Sequence, residues 1–231
     1  MALLIDPDKA EETRLNGLIE KANEDLFDLI FVGGSLLTDG DLDKTIQFIK
    51  SKTSIPVLIF PGSSSQISSK ADGILFLSLL SSRNPEMLIG QQVTAAPYLR
   101  KTDLQVLSTA YLLIESGQQT TASYMSNSNP IPRNKAEIAA STALAGEYLG
   151  MNLTYLDGGS GAQNPVPSEM IKKVAEYTST PIIIGGGLNS KEKIKTAFEN
   201  GADVVVIGNA IEKDTAFLEE IRNLKASMPL L

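Results

Sequence analysis

Eight times along a chain of 231 residues, a short apolar run rich in Val, Ile and Leu gives way to a helix-length amphipathic stretch. Runs of that composition suit parallel strands buried on both faces, and parallel neighbours need a crossover that a helix supplies. This repetition admits few folds: an α/β chain, either a closed (β/α)8 barrel or an open doubly wound sheet. Strands are expected at residues 3–5, 29–32, 56–60, 73–77, 110–114, 151–157, 181–184 and 204–207. Helices are expected up to residue 22 and near 41–51, 85–95, 135–149, 168–177, 190–200 and 215–226. One connection departs from the pattern. Residues 61–72, Ser-rich with a single Gly, leave room for at most a short irregular helix between the third and fourth strands. The expectation is one domain over residues 1–231, a modified TIM (β/α)8 barrel with a shortened or missing third helix. The first strand begins so close to Met1 that a natural start further upstream is expected.

The last three strands all run into small, backbone-exposing loops. The sixth ends in Tyr155, Leu156 and Asp157 followed by Gly158, Gly159, Ser160 and Gly161; the seventh in Gly185, Gly186 and Gly187; the eighth in Gly208 and Asn209. Glycines let amide N–H groups approach a ligand with no Cβ in the way, and loops after the last strands of a barrel form its usual phosphate site. One such loop alone is more often a tight connection, but three converging loops point to a phosphorylated ligand, with Asp157 as an acid aimed into the same space.

Composition restricts the chemistry. The chain has no His and no Cys, which excludes a Ser-His-Asp triad, an imidazole base, His-ligated zinc, a thiolate nucleophile and a disulfide framework. Carboxylates, hydroxyls, Lys, Arg, backbone dipoles and a hard cation such as Mg²⁺ remain. With 20 Lys+Arg against 27 Asp+Glu, a net charge of −7 gives no basic field for a nucleic-acid partner. No apolar stretch approaches the roughly 18 residues of a membrane span and no signal-peptide pattern opens the chain, so a cytoplasmic location is expected. Residues 117–134, polar with two prolines, are long enough to form a mobile active-site loop.

A second constellation lies at the ends of the first two strands, where Asp6 and Ser35 could share a Mg²⁺ with a diphosphate. The plainer reading makes Asp6, Pro7 and Asp8 a turn and helix start, with Ser35 an ordinary loop hydroxyl. Residue chemistry leaves the two readings level. Lys9, Lys101 and Arg133 are candidate partners for a diphosphate.

The runs LLIDPDK, VGGSLLTDG, SLLSSRNPEMLIGQQV, SYMSN with PIPR, AEIAASTALAGEYLGM, YLDGGSGA, IIIGGGL and VVVIGNAI, in order from near Met1 to near Ile211, resemble the geranylgeranylglyceryl phosphate synthase family, which includes the heptaprenylglyceryl phosphate synthases. The resemblance implies a transferase joining sn-glycerol 1-phosphate to a long prenyl diphosphate, with geranylgeranyl diphosphate the expected donor, to give an ether-linked prenylglyceryl phosphate. It implies Mg²⁺ at Asp6 and Ser35. It places the glycerol phosphate on Tyr155, Leu156, Asp157, Gly158, Gly159, Ser160, Gly161, Gly186, Gly187, Gly208 and Asn209, with Asp157 and Tyr155 catalytic. It further implies a homo-oligomer, dimer or hexamer, and a lipid product that favours peripheral membrane contact. Two positions depart from the family pattern: Asp157 stands where many members have Glu, and Leu4 where some have Lys. The tail needs an apolar groove, for which residues 75–80 and 88–96 are candidates.

Two other readings compete. A metal-independent sugar-phosphate isomerase or aldolase would share the glycine loops but needs an acid–base pair or a Schiff-base Lys at a strand end. A catalytically silent phospho-ligand-binding barrel would bind glycerol phosphate without turnover.

Overall fold

The computed structural model describes residues 1–22, 26–208, 211 and 215–228, with side-chain surroundings omitted for residues 14, 21, 22, 215 and 216. Eight parallel strands close into a barrel in sequence order: β1 (Ala2–Ile5), β2 (Leu29–Val32), β3 (Val57–Ile59), β4 (Gly73–Leu79), β5 (Gln105–Leu113), β6 (Leu153–Asp157), β7 (Ile182–Gly185) and β8 (Val204–Ile207). The helices are α1 (Glu12–Ala22), α2 (Leu42–Lys52), α3 (Gln91–Leu99), α4 (Thr121–Met125), α5 (Ala136–Tyr148), α6 (Ser168–Tyr177), α7 (Lys191–Glu199) and α8 (Thr215–Ser227). Asp41 and Ser190 cap α2 and α7 by accepting from the Lys44 and Lys193 amides.

Strand period two sorts the core into two shells. Ala2, Phe31, Leu58, Leu75, Leu79, Tyr111, Leu113, Tyr155, Ile183 and Val206 fill the barrel interior. Their strand neighbours, such as Leu3, Ile30, Ile59, Leu112, Leu156 and Ile184, face outward into the layer shared with the helices.

No helix joins β3 to β4, as expected. Residues 60–72 make turns instead, and Asp72 closes them by accepting from the Val57 amide at 2.8 Å and pairing with Lys50. The helix expected near 85–95 begins as a π-helical turn, Glu86–Gly90, and runs on through α3 past Pro97 to Leu99. β5 starts five residues before the expected 110, because its first half, Gln105 and Val106 included, is exposed and lacks the apolar signature of a buried strand. Residues 117–134 are more ordered than a bare polar loop. Thr120 and Ser123 form a reciprocal cap on α4, Ser82 and Ser128 bond at 2.6 Å, and Ile131 bridges to Ile114. Among the described residues no helix is long and apolar enough to cross a membrane.

Candidate active site

The strands' C-terminal ends open into a cavity of about 1350 Å³. Roughly 300–1,000 Å³ suffices for one drug-sized ligand, so there is space for two reactants. Asp157 lies on its floor. The register pairs Tyr111 with Tyr155 and Leu113 with Asp157, and inward alternation brings Tyr155 and Asp157 to the interior together. The Asp157 carboxylate is 6% exposed; its Oδ2 accepts from the Tyr111 hydroxyl at 2.6 Å and its Oδ1 from the Gly159 amide at 2.7 Å. Burial raises its pKa above the ordinary aspartate value, while the Tyr111 and Gly159 donors oppose the rise. Tyr155 stacks on Phe60 with centroids 5.1 Å apart, and Tyr111 meets both rings edge-on. Burial and the adjacent Asp157 charge hold both phenols far above their usual range, so they stay neutral.

The glycine loops form one wall. Gly159, Gly161, Gly186 and Gly187 all have positive φ and line the cavity with Ser160 and Gly208. Among the described residues the amides of Gly161, Gly186 and Gly187 donate to no protein acceptor. These are donors left for an anion. Other expected contacts are not available in the same way. The Leu156 side chain points into the outer shell, as period two requires, so Leu156 does not reach the cavity. The Gly158 amide is spent on the Gly185 carbonyl at 2.9 Å and the Gly159 amide on Asp157. Asn209 lies outside the described residues.

Across the cavity, Asp6 caps a short 3₁₀ turn, Pro7–Lys9, its Oδ1 accepting from the Asp8 amide at 3.1 Å and its Oδ2 pairing with Lys9 at 3.0 Å. A Cβ at Gly34 would stand 3.4 Å from Asp6 Oδ1, so Asp6 lies against the segment that carries Ser35. Among the described residues the Ser35 hydroxyl has no partner. Gln66 holds this segment by donating to the Gly34 carbonyl at 3.1 Å and accepting from the Gly62 amide at 2.9 Å. Asp8 has a different task from Asp6. Its carboxylate accepts from the amides of Thr38, Asp39 and Gly40 and from the Thr38 hydroxyl, which latches the loop after β2 onto the loop after β1.

Of the candidate diphosphate cations, Lys9 lines the cavity. Arg133 is committed elsewhere, donating to the Glu115 and Pro165 carbonyls at 3.0 and 2.8 Å. Lys101 follows α3 on the way into β5, at the opposite end of the barrel. From the polar walls the cavity continues along Phe60, Leu75, Leu77, Leu79 and Met87 inside the barrel and along Ile67, Ile74, Phe76 and Ala95 on the flank where no helix joins β3 to β4. Of the two stretches proposed for a groove, Leu75, Phe76, Leu77 and Leu79 contribute from the first and Gln91, Gln92 and Ala95 from the second, whereas Leu80 and Leu88 do not line it.

The sequence profile of the PcrB family matches residues 2–228. The chain belongs to this family. It is 48% identical over 231 residues to the geranylgeranylglyceryl phosphate synthase of Chitinophaga pinensis, covering 100% of this chain and 92% of the relative. It is 43% identical over 228 residues to the synthase of the same name from Korarchaeum cryptofilum, covering 99% and 93%. The solved structure of (S)-3-O-geranylgeranylglyceryl phosphate synthase from Thermoplasma acidophilum, in complex with its substrate sn-glycerol-1-phosphate, superposes with a TM-score of 0.90 at 36% identity, covering 98% of this chain and 91% of that one. The resemblance carried by the motifs is thereby borne out. An orotidine 5'-phosphate decarboxylase from Pyrococcus horikoshii, at 15% identity and a TM-score of 0.62, shares the fold alone.

Proposed function

We propose that the chain is a prenyltransferase that alkylates a hydroxyl of sn-glycerol 1-phosphate with a prenyl diphosphate, with geranylgeranyl diphosphate as donor and Mg²⁺ as cofactor. The observation that carries this reading is one cavity with three unlike walls: unspent amides at Gly161, Gly186 and Gly187, a buried carboxylate at Asp157, and an apolar slot where the third helix is missing. An anion, a reacting hydroxyl and a hydrocarbon chain each find their chemistry there.

In this reading the amides hold the glycerol phosphate and Asp157 accepts the proton of its hydroxyl. The hydroxyl oxygen bonds to the allylic carbon, and the electron pair of the breaking C–O bond leaves with the diphosphate. The donor set fits the cation: one carboxylate at Asp6 and the free hydroxyl of Ser35, with no cluster of three acids among the described residues, leaves most positions to water and diphosphate, as Mg²⁺ prefers. Bound there, Mg²⁺ would neutralise charge on the leaving diphosphate. Lys9 is close enough to Asp6 to share that task. Self-association as a dimer or hexamer and a membrane-surface approach for the lipid product belong to the same reading.

The test is a radiolabelled transfer assay with sn-glycerol 1-phosphate, prenyl diphosphate and Mg²⁺, repeated with chelator and with sn-glycerol 3-phosphate. Product is expected only from the first glycerol phosphate and only with the cation. Asp157→Asn should lower the rate by about two orders of magnitude. A fully active Asp157→Asn removes the acid from the mechanism, and no product with any donor removes the transferase.

A further inference from the structure

Asp157 is an acid in a difficult place. It is buried on the cavity floor, and among the described residues no cation reaches it. Both oxygens are nonetheless fixed, and from different directions: Gly159 donates from its own loop, and Tyr111 donates from the neighbouring strand.

We propose that Tyr111 is a positioning residue for prenyl transfer, its hydroxyl holding Oδ2 of Asp157 so that the short carboxylate presents its remaining lone pairs to the glycerol hydroxyl. This rests on the transferase reading above. Tyr111 suits the task because its ring has little freedom. It sits opposite Tyr155 in the β5–β6 register, one inward position below Leu113 and Asp157, so the phenol must rise along the wall to meet the acid. Its ring lies edge-on to Tyr155, with centroids 5.5 Å apart at 85°, and edge-on to Phe60 at 5.9 Å and 80°. Phe60 in turn stacks on Tyr155. Two rings thus brace the one that carries the hydroxyl.

The chemistry of the two donors favours the charged acid. An ionised carboxylate accepts both bonds, whereas a protonated one must give up an acceptor position. Among the described residues the titratable side chains facing Asp157 are Tyr111 from β5 and Tyr155 from its own strand; both stay neutral, so neither competes for its charge. Losing the Tyr111 bond would leave burial opposed by Gly159 alone.

The experiment is Tyr111→Phe in the full chain, which keeps the ring and removes the hydroxyl. We expect kcat to fall roughly tenfold to a hundredfold, the scale of one hydrogen bond to a charged group, with KM for glycerol phosphate nearly unchanged. The acid limb of the rate profile should move up by roughly one pH unit, since the carboxylate has lost a donor that stabilised its charge. In an Asp157→Asn background the same change should cost less than about twofold, because the pair acts as a unit. A carboxyl titration by ¹³C NMR, assigned with Asp157→Asn, needs no turnover and should show the same upward move. An unchanged titration, or a full loss in the Asp157→Asn background, overturns the proposal. A wild-type chain that transfers no prenyl group, beside a Tyr111→Phe chain that shows the titration shift, would defeat the transferase reading while leaving the Tyr111–Asp157 link established.

Discussion

Gly186 and Gly161 hold similar backbone angles, φ +83° and +76°, in unlike surroundings. A Cβ at Gly186 would lie 2.7 Å from the Gly159 amide nitrogen and 2.8 Å from Gly158 Cα, whereas one at Gly161 meets nothing within 4 Å. Gly161→Ala should therefore cost only the left-handed backbone penalty, about 1 kcal/mol. Gly186→Ala carries that penalty and also drives the β6 and β7 loops apart. We expect it to weaken glycerol phosphate binding at least roughly tenfold and to lower stability by about 1–3 kcal/mol. Calorimetric titration beside thermal melts of both variants checks this, and equal losses would show that loop spacing is irrelevant to the phosphate site. At this scale the sequence was readable where chemistry is local. The glycines, Asp157 and Tyr155 stand together in one stretch, and strand alternation alone already turns Leu156 away from the cavity. Tyr111 was hidden because its partner lies 46 residues away and only the barrel register brings them together.

Elements position the Asp6 side of the site through Asp8, which stands two residues from Asp6 and does a separate job. Four hydrogen-bond donors converge on its carboxylate, and the Thr38 amide, ahead of those from Gly40, the Thr38 hydroxyl and Asp39, draws its pKa below the ordinary value. A carboxylate with a lowered folded pKa contributes stability that is present above its unfolded value, about 3.9, and is lost as pH falls through the folded value. Asp8→Ala should thus melt below wild type at pH 7 and approach it at pH 3. Hydrogen exchange at Thr38, Asp39 and Gly40 should quicken at neutral pH, and a melting difference that persists undiminished in acid would contradict the latch. The order of strands and helices was legible because every strand contains an apolar run closed by a turn, and the shortened β3–β4 connection could be seen from its Ser-rich composition. The latch was not legible, since Asp6 and Asp8 read alike as turn acids until the β2 loop is folded over one of them. Lys101 and Arg133 were obscured in a related way: Lys101 lies where the chain returns to the opposite end of the barrel, and Arg133 is taken up by the Glu115 and Pro165 carbonyls.

At the scale of the whole molecule, omitting one helix from an eight-unit barrel opens its flank. Elsewhere a helix covers each outer strand face; here turns and the π-to-α segment leave a slot along Ile67, Ile74, Phe76 and Ala95 that belongs to the same cavity as the polar floor at Asp157. A prenyl tail in that slot would remove apolar surface from water at roughly 25 cal/mol per Å², and part of that remote binding energy becomes available to position the reacting end. The slot is finite, so the benefit must saturate. Across donors from C10 to C35 we expect kcat/KM to rise at least roughly tenfold for each added isoprene unit while the tail is still filling the slot, then to level off once further units protrude into solvent. The rise should appear partly in kcat, because a tail that only improved ground-state binding would change KM alone. Steady-state kinetics over the series, at fixed glycerol phosphate and Mg²⁺, give both the slope and the length at which it ends. A flat profile would mean that the tail lies outside the barrel, and the missing helix would then need another explanation.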